Sequence, residues 1–193
     1  MKILFISLGC DKNLADSEEM LGLLTGNGHE IVDSEEEADA IVINTCCFIH
    51  DAKEESVNTI LEMAEYKKTG TCKILIVTGC MAQRYKEEIT EEIPEVDAVL
   101  GTTSYGDIVK ALNEAEAGHV FQEFKDINAL PEDSGRRVIT TGGHFGYLKI
   151  AEGCDKHCTY CIIPSLRGKF RSVPEERLLK QAEYMASQGV REL

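Results

Sequence analysis

The sequence predicts an α/β protein whose N-terminal part is an open parallel sheet flanked by helices, followed by a single further β/α unit. Two observations predict it. Short apolar runs of strand length recur through the first 126 residues, and amphipathic segments of helical period lie between or after them. Lys2 to Ser7 is the first strand, and the segment from Leu14 to Leu24 follows with Leu14, Leu21 and Leu24 at helical spacing. Thr25-Gly26-Asn27-Gly28 ends that helix. Ala40 to Ile43, Ile74 to Val77 and Val96 to Leu100 are the next strands. Val57, Ile60, Leu61 and Ala64 share one helix face, as do Ala82, Tyr85, Ile89 and Ile93, while Ile108, Val109 and Leu112 mark another helix.

The pattern breaks down from Ile127 to Gly146, where Pro131, Gly135, Gly142, Gly143 and Gly146 stand among polar residues. Residues 127–146 therefore read as a linker between a domain spanning 1–126 and a second one starting at 147. That second part opens with a strand, Tyr147 to Ala151. Pro174 then opens a helix with Leu178, Leu179, Ala182, Met185 and Ala186 on its buried face, and Gly189 stops it. Val190 to Leu193 reads as the start of another strand, so the sequence is expected to be a truncated piece of a longer protein.

Hydrophobic residues make up 43% of the chain, enough for a packed core. No stretch approaches the roughly 18 apolar residues of a membrane span, and the N-terminus lacks a signal-peptide layout, which points to the cytoplasm. The eight cysteines then read as metal ligands or reactive thiols rather than as a disulfide framework. A net charge of −14 suits a basic protein partner and argues against direct nucleic-acid binding by this chain.

Cys154, Cys158 and Cys161 form a C-x3-C-x2-C run directly after the apolar segment Tyr147 to Ala151. Iron–sulfur clusters are held by cysteine thiolates in short loop-borne spacings. Three close thiols with no fourth nearby leave one iron open, as catalytic metal sites do. Structural zinc prefers paired C-x2-C halves and four protein ligands, although His157 offers a fourth donor for a Cys3His set.

The run from Lys149-Ile150-Ala151-Glu152-Gly153-Cys154 to Arg167-Gly168-Lys169-Phe170-Arg171-Ser172 resembles the radical S-adenosylmethionine (SAM) motif of the methylthiotransferases. Ser7-Leu8-Gly9-Cys10-Asp11-Lys12-Asn13 resembles the first cysteine motif of that family's N-terminal domain, and Asn44-Thr45-Cys46 and Thr78-Gly79-Cys80 resemble the second and third. Leu8-Gly9-Cys10-x-Lys12-Asn13, with Pro164 to Ser172, is most similar to the branch that modifies an aspartate of a small-subunit ribosomal protein, number twelve in its series.

Cys10, Cys46 and Cys80 each stand at the C-terminal end of a predicted parallel strand. Strand C-termini share one edge of an open α/β sheet, so these thiols are expected to converge there on a second three-ligand site. Cys72 precedes its strand, which places it roughly 20 Å or more from that edge at about 3.3 Å per residue. Cys47 neighbours Cys46 and points to the opposite face, and the Asn-Thr-Cys match selects Cys46. Cys47 and Cys72 read as small buried residues. Asp16, Glu18 and Glu19 read as charges favouring a helix N-terminus, Asn13 and Asn44 as hydrogen-bonding groups around the site, and Arg136-Arg137 as a solvated pair. Arg167 and Arg171 match the family's wording, with solvated and substrate-facing roles both open.

The resemblance implies two four-iron clusters, one on Cys10, Cys46 and Cys80 and one on Cys154, Cys158 and Cys161, the latter binding SAM. It places Tyr160 near the SAM adenine, with ordinary loop packing as the other reading. It implies a transferase that inserts a methylthio group at the β-carbon of the target aspartate by radical SAM chemistry, with an electron donor such as flavodoxin or ferredoxin. It also implies a radical SAM partial barrel of which this chain carries only the first unit, so the chain alone is expected not to turn over. A tRNA adenosine methylthiotransferase is the nearest alternative, and a non-catalytic iron–sulfur or zinc protein a more distant one.

Overall fold

The computed structural model describes residues 1–132 and 135–193, so positions 133 and 134 of the expected linker lie outside the described residues. Six strands form one parallel sheet: β1 (Lys2–Ser7), β2 (Glu30–Val32), β3 (Ala40–Thr45), β4 (Ile74–Gly79), β5 (Ala98–Leu100) and β6 (Phe121–Glu123). Their spatial order is β2-β1-β3-β4-β5-β6, and every neighbouring pair is parallel. This is a doubly wound arrangement in which the chain reverses its direction of travel between β1 and β3.

Alternation along the strands sorts the core into two layers. In β3, Ile41 and Ile43 face one side and Ala40 and Val42 the other, and Leu75 and Val77 oppose Ile74 and Ile76 in β4. On the first side the sheet packs against α2 (His50–Thr69), α3 (Cys80–Arg84) and α4 (Lys86–Glu92). On the second it packs against α1 (Asp11–Gly26) and α5 (Ile108–Glu116). β3 and β4 are buried throughout, as expected for central parallel strands covered on both faces.

Several details differ from the sequence expectation. The helix expected across Ala82 to Ile93 is two helices, because Tyr85 leaves the helical conformation with φ −121° and ψ 36°. Leu61, expected on the buried face of α2, is 48% exposed. β2 and β6 are three-residue edge strands that no apolar run announced.

After β6 the next regular strand is β7 (Ala151–Glu152), which pairs antiparallel with β8 (Arg171–Ser172). The strand expected over Tyr147 to Ala151 is therefore reduced to its end. Among the described residues no strand pairs with residues 147–150, and Ile150 is exposed. The parallel contact with the end of the chain falls earlier, at the bridge Phe145↔Glu192. Gly146 N–H donates to the Glu192 carbonyl, and Arg191 N–H to that of His144. A short helix, α6 (Ile163–Arg167), follows the second cysteine loop, and α7 (Glu175–Ser187) crosses over between the two bridged segments. Of the apolar face expected on α7, Met185 is buried, while Leu179 and Ala186 are exposed.

The helix α1 is buried on both sides. Asn13, Leu24 and every residue from Ala15 to Gly22 are buried. Its inner face meets the sheet, and its outer face is covered by residues 136–140, 149 and 167. Glu18 and Glu19 thus do not sit in solvent near a helix end, and Asp16 is likewise sequestered. Arg137, expected to be solvated, is 7% exposed and pairs with Glu18 at 2.6 Å. Thr140 donates to the other Glu18 oxygen from both its N–H and its hydroxyl. A charge cannot remain unpaired in such a place, so these acids and bases are buried together.

Candidate functional site

The register of the sheet carries the three cysteines to one edge. Ser7 pairs with Asn44, Asn44 with Thr78 and Thr45 with Gly79, so adjacent strands β1, β3 and β4 end level. Cys10, Cys46 and Cys80 follow within a few residues and line a single cavity of about 530 Å³. Cys10 and Cys46 flank the point where the winding reverses, which is where ligands of open α/β sheets bind.

Two glycines set the cysteines in place. Gly9 and Gly79 have φ of +91° and +93°, and each immediately precedes a site cysteine. A Cβ on Gly9 would lie 2.6 Å from Cys46 Cβ. One on Gly79 would fall on Asn44 Oδ1 and lie 2.5 Å from the Thr45 carbonyl oxygen. Only glycine meets both the left-handed backbone and the close approach.

Asn13 ties the strand ends together. Its Nδ2 donates to the carbonyls of Leu8 and Thr45, each at 2.9 Å, and its Oδ1 accepts from Arg167 at 2.6 Å and from the Cys80 thiol at 3.7 Å. Asn44 donates to the Asn13 carbonyl and to Ser17 Oγ, fixing α1 to β3. Both asparagines therefore hold the frame of the cavity, and only Asn13 has a hydrogen bond to a site thiol. Ser56, which the sequence reading missed, reaches from α2 to grip both backbone groups of Cys46, accepting from N–H and donating to C=O. Nothing in its neighbourhood of α2 distinguishes it by sequence.

The cavity wall is apolar except for sulfur and two cations. Phe48, Ile49, Ala52, Ile163 and Leu166 line it with Lys12, Arg167, Gly9, Gly153 and the cysteines, and among the described residues no carboxylate does. Arg167 is 5% exposed, bonded to Asp16 at 2.7 Å and 3.6 Å from Glu152. Lys149 pairs with Asp16, and with Glu152 at 2.6 Å. Burial alone would raise Asp16, and the Arg167 and Lys149 charges instead hold its carboxyl below its ordinary range. Burial likewise opposes the charge on Lys149, but Asp16 and the other acidic groups around it keep its ammonium protonated well above the usual lysine range. Burial pushes the Cys80 thiol up, with the neighbouring Arg167 pulling against it.

Cys154 reaches the edge of the same cavity, while Cys158 and Cys161 do not line it. The loop that carries them is closed by Cys161 N–H on the Cys158 carbonyl and anchored by Cys154 N–H on that of Gly168. Cys158 is exposed, and Cys154 and Cys161 are half-buried. Tyr160 is 91% exposed. Cys47 and Cys72 lie in the hydrophobic core, where burial pushes the Cys47 thiol up to about 11.

Among the described residues no three Cys, His, Asp or Glu side chains are close enough together to hold one metal ion. A multi-iron cluster separates its corner ligands more widely than one ion does. Thiolates select soft metals and iron–sulfur groups, and the wall of the first cavity supplies Cys10, Cys46 and Cys80, with Cys154 at its edge and, among the described residues, no competing carboxylate. The residues present fit such a group. Likewise, the second loop offers three thiols within eight residues, all at least partly reachable from solvent.

These features define a doubly wound α/β domain with a thiol-lined cavity at its strand ends, followed by a second cysteine-bearing loop. The chain belongs to Uncharacterized protein family UPF0004, whose profile matches residues 2–101. Over all 193 residues it is 64% identical to the ribosomal protein uS12 methylthiotransferase RimO of Lachnoclostridium phytofermentans and 51% identical to that of Clostridioides difficile. It is 48% identical over the same length to the corresponding protein of Trichlorobacter lovleyi. The chain spans 44% of the length of the first two relatives and 43% of the third. The resemblance to the methylthiotransferases thus extends beyond the four motifs to the whole chain, and these relatives' names fall in the ribosomal-protein branch. Among the described residues no helix is long and apolar enough to cross a membrane.

Proposed function

We propose that this chain is part of a radical SAM methylthiotransferase that modifies an aspartate β-carbon of the small-subunit ribosomal protein uS12, with residues 1–126 and 147–193 as two functional parts joined by 127–146. The observation that supports it best is the meeting of Cys10, Cys46, Cys80 and Cys154 around one cavity. Cys10, Cys46 and Cys80 would hold one four-iron cluster, and Cys154, Cys158 and Cys161 would hold the other beside SAM, with Tyr160 near its adenine. When bound, these groups supply one-electron cleavage of SAM and a sulfur for transfer to carbon.

The chain's own residues provide the setting. Phe48, Ile49, Ile163 and Leu166 give the thiol cavity an apolar wall, and Gly9 and Gly79 let two of its thiols approach the third strand end. Asn13 and Ser56 hold the ligand-bearing backbone rigid. The net charge of −14 suits a basic protein substrate, and the setting in the cell would be the cytoplasm with flavodoxin or ferredoxin as electron source.

Anaerobic reconstitution followed by iron, sulfide and zinc analysis tests the metal part. About eight irons per chain are expected. Replacing Cys10, Cys46 and Cys80 with alanine removes about half of them, and replacing Cys154, Cys158 and Cys161 removes the other half. Stoichiometric zinc in place of iron overturns the reading. Mass spectrometry of uS12 and of tRNA from a strain lacking the gene tests the substrate. The methylthio mass is expected to vanish from uS12, and its loss from tRNA instead assigns the chain to the tRNA branch.

A further inference from the structure

Of the two cations in the thiol cavity wall, Arg167 is held by three partners, and it comes from the segment that carries the other cysteine loop. Its guanidinium donates to Asn13 and Asp16 and lies 3.6 Å from Glu152. Both carboxylates stand behind it, since neither lines the cavity. Lys12, the second cation, reaches over to the Ala151 carbonyl at 2.6 Å and lies 3.9 Å from Glu152. The cavity is thus cationic on the side facing the thiols and anionic only in the layer beyond.

We infer that Arg167, assisted by Lys12, is a positioning residue that sets the reduction potential of an iron–sulfur group held by Cys10, Cys46 and Cys80. This rests on the cluster reading given above. A thiolate-ligated cluster gains negative charge when it takes up one electron, and a fixed cation at its edge favours the reduced form. Arg167 is itself buried among largely apolar lining residues, so its charge is screened less than a surface charge would be. Arg167 reaches this wall from outside the sheet domain, so the first site's electrostatics are complete only when residues 147–172 are docked on α1. The first thiol site is then tuned by the segment bearing the second.

The test uses the reconstituted chain with Cys154, Cys158 and Cys161 replaced by alanine, so that only one cluster is present. It is titrated with dithionite through viologen mediators, each cluster taking one electron, and followed by electron paramagnetic resonance. Arg167→Gln is expected to shift the reduced-to-oxidised ratio at fixed potential at least tenfold toward oxidised, which is 59 mV for one electron. Arg167→Lys restores most of the shift, and Lys12→Gln gives a smaller shift of the same sign because Lys12 is half exposed. A cavity residue with only a structural role would alter iron load or melting temperature and leave the potential in place. A full iron load with unchanged potential in Arg167→Gln overturns the inference, as does an Arg167→Lys potential equal to that of Arg167→Gln. If Arg167→Gln holds no iron, Lys12→Gln decides, and an unshifted potential there overturns it. A parent chain without iron on Cys10, Cys46 and Cys80 removes the cluster reading itself, a result distinct from an unmoved potential.

Discussion

Arg137 and Glu18 show how little a charged residue reveals about its surroundings when read alone. They are 119 positions apart and both buried, with Arg137 Nε at 2.7 Å from Glu18 Oε2. Removing one partner of such a pair leaves a buried charge uncompensated. Arg137→Ala is therefore expected to destabilise the chain by about 3–5 kcal/mol, measured from urea unfolding midpoints. An arginine dipeptide in a polar stretch reads as solvated, and for Arg137 only the tertiary partner decides otherwise. The cysteines were more legible. Strand position separated Cys10, Cys46 and Cys80 from Cys72, while between the adjacent Cys46 and Cys47 it was the Asn-Thr-Cys resemblance that selected Cys46.

At the scale of elements, the central strands were readable because β3 and β4 each open with four consecutive apolar residues, and the edge strands β2 and β6 were not. Three residues carry too little pattern. Glu30 to Val32 become a strand by pairing with Lys2 to Leu4 rather than by their own preference. The Gly-Cys pairs at the ends of β1 and β4 are the local signal that a tight turn presents the thiol. Gly79→Ala tests the β4 turn. Alanine at φ +93° carries about 1–3 kcal/mol of backbone strain, to which the clash with Asn44 and Thr45 adds. The expected outcome is a lower thermal midpoint together with loss of iron from the first site, read by calorimetry and iron analysis.

Across the whole molecule, the contact between the sheet domain and the second cysteine segment contains a buried ionic layer beside the packed Leu166, and a pH dependence follows. Asp16 has a depressed folded pKa, so its contribution is full above its unfolded value of about 3.9 and is lost as pH falls through the folded one. Lys149 has a raised folded pKa, so its contribution is full below about 10.4 and is lost as pH rises toward the folded value. Urea midpoints are expected to form a plateau between these limits and to fall on both sides. Lys149→Met lowers the plateau and flattens the alkaline limb. An alkaline limb unchanged in that variant would count against the assignment. None of this was visible in the sequence, where Asp16, Glu18 and Glu19 read as charges favouring a helix N-terminus and their partners lie 86 to 151 residues away.

Most helices keep a stripe along which evolution can wander at little cost. From Ala15 to Gly22, α1 has none, because the sheet presses on one flank and the later segment on the other. Substitutions there meet a neighbour whichever way they point, and an inserted residue would swing the acids away from their bases on every following turn. The helix acts as a keyway, and the two halves of the chain must change together or not at all.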